Sequence, residues 1–123
     1  MAAPTAKQKA AVADAGRPAA DTARDENRKP ADMLAFAGIG PGKVVVDMLP
    51  GGGYFTRIFA KAVEPGGRVY AYFGNVGMFC FDREGKALWS KSWGVYPTRV
   101  NWGTGASPIL HKDRIYLVND NEK

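Results

Sequence analysis

An acidic residue followed by a glycine loop is the part of this sequence best suited to chemistry. Asp47 ends a run of valines, and residues 48–53 follow it as Met-Leu-Pro-Gly-Gly-Gly. Glycine adopts positive φ and lets the backbone approach a ligand closely, and the N–H groups that open a following helix favour anionic or polar ligand groups. A tight turn from strand to helix also needs glycine, so a ligand loop and a purely structural turn are both open interpretations.

The other reactive side chains form no catalytic pattern. Cys80 is the single cysteine, which excludes an internal disulfide and a zinc site built on several thiolates. Its neighbours on both sides are phenylalanines, which favours a small strand residue over a nucleophile. His111 is the single histidine and lies in a polar turn segment, so we expect it at the surface. We predict no metal site and assign no catalytic residue.

The glycine loop lies between a predicted strand and a predicted helix. Residues 43–47 contain three consecutive valines, which is typical of a strand buried on both faces in a parallel sheet. Residues 54–63 carry apolar side chains at 54, 55, 58, 59, 62 and 63, which form one face of a helix. Residues 64–67 stop that helix, and residues 68–71 begin a second strand. The pattern predicts a β-α-β unit.

The segment before this unit contains weaker helical signals. Residues 1–16 are rich in alanine and have little pattern, so we predict a frayed or disordered N-terminus. A helix over residues 18–29 is favoured by opposite charges four positions apart, Arg17 with Asp21 and Asp25 with Lys29. Proline at position 30 opens a further short helix, and glycine at 38 ends it.

Residues 15–71 resemble the opening of bacterial class I S-adenosylmethionine-dependent methyltransferases. The resemblance is carried by residues 17–21 (RPAAD), 24–25 (RD), 28–30 (RKP), 34–38 (LAFAG) and 46–56 (VDMLPGGGYFT). It implies S-adenosylmethionine as the cofactor and assigns the cofactor loop to Asp47, Pro50, Gly51, Gly52 and Gly53. In that fold, the loop lies against the methionine and ribose parts of the cofactor.

Two positions depart from the methyltransferase pattern. Leu49 stands where the wider superfamily has a glycine. The family usually has an acid at the end of the second strand, where it binds the ribose hydroxyls, and the matching position here is about Phe73. Half of the cofactor site is therefore present, and we expect little or no turnover because small errors in positioning are costly in rate.

The second part of the chain reads as consecutive strands. Apolar runs at 78–81 and 87–93 flank a polar turn, and runs at 109–110 and 114–118 flank another, so the pattern predicts two hairpins. A long loop is expected over residues 97–108.

Residues 69–123 resemble β-propellers built from pyrroloquinoline-quinone-like repeats. The resemblance is carried by residues 79–82 (FCFD), 85–89 (GKALW), 105–110 (GASPIL) and 113–119 (DRIYLVN). It implies that Trp89 packs between adjacent blades. About one blade and the start of another are present, whereas a propeller closes only with several blades. We do not expect a bound quinone, and the open strand edges predict self-association.

The overall composition limits the classes of function. Ten basic and seven acidic residues lie in 1–71, and seven and five lie in 72–123, so the net charge of +5 is spread along the chain rather than gathered in a nucleic-acid-binding stripe. No run approaches the roughly 20 apolar residues that cross a bilayer, so we predict no membrane-spanning segment. No signal peptide is visible, which favours the cytoplasm, while an exported origin stays open.

These observations predict an α+β protein. N-terminal helices and one Rossmann-like β-α-β unit precede an antiparallel β-meander. The predicted divisions are 1–16, a truncated methyltransferase-like segment at 17–71, and a propeller-repeat-like meander at 72–123. Sixteen of the eighteen alanines precede residue 72 and all three tryptophans follow it, which suggests a chimera of natural, artefactual or engineered origin. Three hypotheses follow: a methyltransferase-like fragment that binds S-adenosylmethionine, a non-enzymatic interaction module, and a folded chimera with no evolved activity.

Overall fold

A computed structural model describes residues 2–74, 76–82, 86–94 and 107–118. Its elements are α1 (Ala6–Val12), α2 (Ala19–Thr22), α3 (Asp25–Arg28), α4 (Pro30–Phe36), β1 (Val44–Met48), α5 (Tyr54–Ala62), β2 (Arg68–Tyr72), β3 (Met78–Phe81), β4 (Ala87–Lys91), β5 (Ile109–His111) and β6 (Arg114–Tyr116).

The four strands β1 to β4 form one mixed sheet in sequence order. β1 and β2 are parallel, whereas the β2–β3 and β3–β4 pairs are antiparallel. β5 and β6 form a separate antiparallel hairpin. Helices together with a mixed sheet confirm the α+β class.

The change in composition falls inside a single strand. β2 pairs with β1 on one side, where Ala71 lies opposite Asp47, and with β3 on the other, where Ala71 lies opposite Phe79. The alanine-rich part and the tryptophan-rich part therefore share one sheet. The meander extends that sheet because β3 hydrogen-bonds directly to the free side of β2.

Helix α5 lies between the sheet and the N-terminal helices. Its residues Tyr54, Ile58 and Ala62 are buried and pack with Ala11 of α1 and Leu34 of α4. Their spacing of four positions puts them on one face of the helix. α5 also contacts strands β1 and β2 of the sheet.

The expectation of a frayed or disordered N-terminus is wrong for Ala6–Val12, which forms α1. Thr5 caps this helix through a reciprocal pair of hydrogen bonds with Gln8. The Gln8 side chain also donates to the Ile39 carbonyl at 2.8 Å. The alanine-rich pattern hides this helix because small side chains give a weak apolar signal while still allowing close packing.

The predicted helix over 18–29 is divided into α2 and α3, and its expected ion pairs do not form as predicted. Arg17 pairs with Asp25 at 2.7 Å instead of with Asp21. Asp21 pairs with Arg57 of α5 at 2.6 Å. The break at residues 23–24 turns the two acids toward different partners, so spacing along one continuous helix gave the wrong pairs.

Strand β1 is not buried on both faces, which corrects the expectation from its valines. It lies at the edge of the described sheet, and Val44 and Met48 are each 42% exposed. Both faces of a parallel strand are buried when helices cover both sides of the sheet, and among the described helices only α5 makes substantial contact with β1 and β2.

The two hairpins lie where the sequence predicted them. β3 and β4 form the first, and β5 and β6 form the second around residues 112–113. Trp89 is 43% exposed and its ring lies 5.4 Å from that of Tyr70. Most of the loop expected at 97–108 lies outside the described residues. In the described parts of the chain, the helices are too short or too polar to cross a bilayer.

Candidate ligand site at the glycine loop

The loop between β1 and α5 contains three residues with left-handed backbone. Leu49 has φ of 52°, Gly51 of 57° and Gly53 of 81°. The Gly53 N–H donates to the Pro50 carbonyl at 2.9 Å, and Gly53 is the N-cap of α5. Glycine adopts this geometry without steric cost, so two of the three positions explain why the turn needs glycine.

Leu49 adopts the left-handed conformation without being glycine. Its N–H donates to the Tyr72 carbonyl at 2.8 Å, which continues the β1–β2 ladder by one residue. Its side chain is 67% exposed. A bulky residue at positive φ is unfavourable and persists where its surroundings hold it. The position at which the sequence departs from the superfamily pattern is therefore a strained one.

Asp47 connects β1 to the first turn of α5. The Thr56 hydroxyl donates to Asp47 Oδ2 at 2.6 Å. Partial burial raises the pKa of the Asp47 carboxyl, and the hydrogen bond from Thr56 opposes that rise. The contact holds the end of the strand and the start of the helix together, which fixes the span of the loop between them.

The outer side of the loop is open. A Cβ atom added at Gly51 or Gly52 would meet no other atom within 4 Å. A Cβ atom at Gly53 would approach Arg57 Nη1 at 3.0 Å. The first two glycines therefore leave free space beside the backbone, whereas the third allows close approach of an α5 side chain.

A cavity of about 600 Å³ runs from the loop across the helix side of the sheet. Its apolar wall contains Val69, Ala71, Phe73 and Phe81. The ring centroid of Phe79 lies 5.7 Å from that of Phe73 and 6.2 Å from that of Phe81. The cavity is lined by Asp14, Gly16, Arg17, Pro50, Gly51, Gly52, Gly53, Thr56, Arg57, Ala60, Lys61, Val69, Ala71, Phe73, Phe81 and Asp82.

The topology of the sheet explains this cavity. A doubly wound fold would follow β2 with a second helix that crosses the same face. Here β2 is followed by the antiparallel strand β3, and among the described helices only α5 contacts the sheet closely. The helix-side surface of β2 and β3 is consequently left partly open beside α5.

A second cavity of about 400 Å³ borders the same loop and has a more polar lining. Arg24 and Arg28 line it together with Asp21 and Asp47, while Gly51 and Gly52 are shared with the first cavity. Both signs of charge are therefore present within one cavity. Such a lining suits a ligand group that carries a positive and a negative charge.

Tyr54 also lines this cavity, and its ring contacts the arginines there. Its hydroxyl donates to Asp25 Oδ1 at 2.6 Å. The guanidinium carbons of Arg28, Arg17 and Arg24 lie 4.6, 5.4 and 5.5 Å from the centre of its ring. Cations are attracted to an aromatic face at these distances. The buried ring thus gathers three arginines next to the loop.

All five residues predicted for the cofactor loop border one or both cavities: Asp47, Pro50, Gly51, Gly52 and Gly53. Sequence reasoning did not assign Thr56, Arg24 or Arg28 to the site. Arg24 and Arg28 are four positions apart, and each lies in a segment that carries the methyltransferase resemblance. This spacing is the sequence signal that could have identified them.

The other candidates lie away from the loop or at its far end. Phe73 lines the larger cavity at the position where the resemblance calls for an acid. Asp82 lines the same cavity, and its Oδ1 accepts from the Lys86 N–H at 2.8 Å. Cys80 is buried, and this burial raises the pKa of its thiol. His111 is exposed. Within the described ranges, His, Cys, Asp and Glu do not gather in groups that could hold a metal ion.

No protein-family model matches this chain, and neither a curated protein nor a solved structure shows significant similarity to it.

Proposed function

We propose that this chain binds S-adenosylmethionine at the glycine loop and transfers its methyl group slowly or not at all. The observation that carries the proposal is that one open-sided loop, at Gly51 and Gly52, borders two cavities of different chemistry. The cofactor has the matching division, with a zwitterionic amino-acid end and an adenosine end.

The smaller cavity supports the assignment of the amino-acid end. Arg24 and Arg28 supply donors for a carboxylate, and charge-assisted hydrogen bonds of this kind are among the stronger ones in proteins. Asp21 and Asp47 supply acceptors for an ammonium group. Asp21 is already paired with Arg57, so Asp47 is the carboxylate with the greater capacity for a ligand.

The larger cavity supports the assignment of the adenosine end. Its volume of about 600 Å³ falls within the range of small-molecule pockets, roughly 300–1,000 Å³. Phe73 and Phe81 give it aromatic surface on which a flat base can pack. The N–H groups at the start of α5, next to Gly53, face polar groups of a ligand held between the two ends.

Slow or absent methyl transfer follows from the incomplete site. The Phe73 side chain has no acceptor for the ribose hydroxyls, so the sugar is held less firmly than an acid would hold it. A displacement of about 1 Å at the reacting atoms can cost roughly 100-fold in rate. Binding without efficient turnover is therefore the function that we propose for this site.

The test is a thermal melt of the protein with and without excess S-adenosylmethionine. A ligand at about 100 times its Kd stabilises the native state by about 2.7 kcal/mol. The Gly52→Leu variant should abolish this shift, because its side chain would occupy the open space beside the loop that the ligand needs. The variant should still fold, because position 52 has no left-handed φ that a leucine would strain. Gly40→Leu is the matched control, since Gly40 has equally open surroundings away from both cavities.

The outcomes distinguish cofactor binding at the loop from a folded chimera with no evolved activity. A shift in the wild type and in Gly40→Leu, but not in Gly52→Leu, supports cofactor binding at the loop. A cooperative melt that does not move in the wild type overturns the proposal and favours a folded chimera with no evolved activity. A shift that survives in Gly52→Leu places the ligand elsewhere and also overturns it.

A further inference from the structure

The outer edge of β1 is an unprotected strand edge. β1 ends the described sheet, so none of the described strands pairs with one side of its backbone. Natural edges are usually protected by lysine, proline or a bulge. Val44–Met48 reads Val-Val-Val-Asp-Met and contains no lysine, proline or bulge; its one charged residue is Asp47, and Lys43 directly precedes the strand. The composition of β1 is typical of an interior strand, yet β1 lies at the edge of the described sheet.

The opposite edge, formed by β4, is better protected. Lys91 lies within that strand, whereas no lysine lies within β1. The pairing of β4 with β3 also shifts register between Cys80 and Phe81, which breaks the regular edge. The two ends of the sheet therefore differ, and β1 is the one suited to further pairing.

Hydrogen bonds at the two ends of β1 show which backbone groups face outward. The Lys43 carbonyl accepts from the Arg68 N–H at 3.0 Å, and the Leu49 N–H donates to the Tyr72 carbonyl at 2.8 Å. Odd-numbered residues thus direct their backbone groups toward β2. Because these directions alternate along a strand, Val44, Val46 and Met48 direct theirs toward the free edge.

We propose that two copies of this chain associate through β1, paired antiparallel about a two-fold axis at Val46. This register places Val46 opposite itself and Val44 opposite Met48 of the second copy. Every outward-facing residue then meets another outward-facing residue, so the three N–H groups of each copy all find carbonyl partners. A register centred on Val45 would leave Met48 without such a partner.

The side chains favour the same register. Val44, Val46 and Met48 share one face of the sheet because side chains alternate along a strand. Val44 and Met48 are each 42% exposed, so their pairing covers apolar surface that the single chain leaves in water. On the other face, Asp47 lies opposite Val45 and meets no like charge directly. The interface is self-complementary, as two-fold symmetry requires.

The experiment uses charge pairs at positions 44 and 48 in the full chain. One variant carries Val44→Lys with Met48→Lys, and the other carries Val44→Glu with Met48→Glu. In either variant alone, the proposed register sets two like-charge pairs across the axis. We expect the dimer dissociation constant, measured by sedimentation velocity, to rise roughly 10–100-fold. An equimolar mixture should form heterodimers, since each lysine then faces a glutamate.

The mixture is an internal control, because two chains that failed to fold could not restore association. Leu88→Lys on β4 is the external control: Leu88 is 50% exposed, and its substitution should leave the dimer unchanged. A wild type that stays monomeric at all concentrations overturns the proposal. So does a mixture that does not associate, or a Leu88→Lys variant that loses the dimer.

Discussion

The ion pair beneath the arginine cluster offers the sharpest test of how this fold is held together. The Arg17 side chain is 1% exposed and that of Asp25 is 24% exposed. Arg17 Nη1 and Nη2 donate to the two Asp25 oxygens at 2.8 and 2.7 Å, and the Tyr54 hydroxyl donates to the same carboxylate. Asp25→Asn would remove the negative charge and leave the buried guanidinium uncompensated.

Removing one partner of a buried pair costs about 3–5 kcal/mol, because the remaining charge stays away from water. The partial exposure of Asp25 places the expected loss at the lower end, about 3 kcal/mol. For a chain of this length, that corresponds to a fall in Tm of about 10–15 °C. This loss is a large fraction of the stability of a small domain.

Urea denaturation of the wild type and of Asp25→Asn should be compared over a range of pH. The hydrogen bonds from Arg17 hold the pKa of the Asp25 carboxyl below its usual value. Because folding lowers this pKa, the carboxylate stabilises the protein above the ordinary carboxyl range, and the contribution is lost as the pH falls through the folded pKa. The difference in unfolding free energy between the wild type and Asp25→Asn should therefore be largest near neutral pH and should disappear in acid.

Glu26→Gln is the matched control, because it removes an exposed carboxylate from the same helix and should change stability by less than about 0.5 kcal/mol. The reasoning fails if Asp25→Asn costs less than about 1 kcal/mol, the range of surface pairs. It also fails if the difference between the two proteins stays constant as the pH is lowered.

Two further substitutions test other parts of the fold by the same urea assay. Asp47→Asn keeps an oxygen for the Thr56 hydroxyl but removes a carboxylate whose pKa is raised by burial. Because solvent screens a half-buried group, we expect the substitution to stabilise the protein by only about 1 kcal/mol near neutral pH. This gain should vanish as the pH falls below the pKa of Asp47, where the carboxyl is protonated and neutral. A destabilised Asp47→Asn would contradict this account. Gln8→Ala should cost about 1–3 kcal/mol through loss of the cap and of the bond to the Ile39 carbonyl, whereas the exposed Lys9→Ala should be nearly neutral; equal losses would show that Gln8 has no special role.

The central β-α-β unit could be predicted from the sequence because its signals are local and strong. Three valines, a glycine turn and an apolar helical face each favour one type of element, and β1, α5 and β2 lie within one or two residues of the expected bounds. The hairpins were predicted for the same reason. Their alternating apolar runs and short polar turns need no knowledge of tertiary packing.

The N-terminal region could not be predicted equally well, because its order depends on distant contacts. Helix α1 is stabilised by the Gln8 bond to Ile39 and by the burial of Ala11 against α5, neither of which leaves a periodic signal in residues 1–16. The ion pairs of Arg17 and Asp21 cross between elements, so spacing along the chain could not reveal them.

The edge position of β1 and the two cavities beside the glycine loop also could not be predicted from the sequence. Both depend on the order of strands in the sheet, and valines in β1 are equally compatible with an interior strand. The residues of the glycine loop left a ligand loop and a structural turn both open, and the methyltransferase resemblance favoured the ligand loop. The position of Arg24 and Arg28 beside that loop depends on the folded position of Tyr54.

The shared strand β2 has a consequence for the order in which the molecule assembles. Its contacts with β3 join residues close in the chain, for example Tyr72 with Met78, whereas its contacts with β1 join distant ones, such as Val45 with Val69. Local contacts cost less chain entropy and form earlier. We therefore expect the β2–β3 hairpin to form before β1 docks on it, and the hydrogen bond from Leu49 to Tyr72 to form with that docking. The strand that carries Phe81 of the larger cavity should thus pair with β2 before the glycine loop takes its final shape.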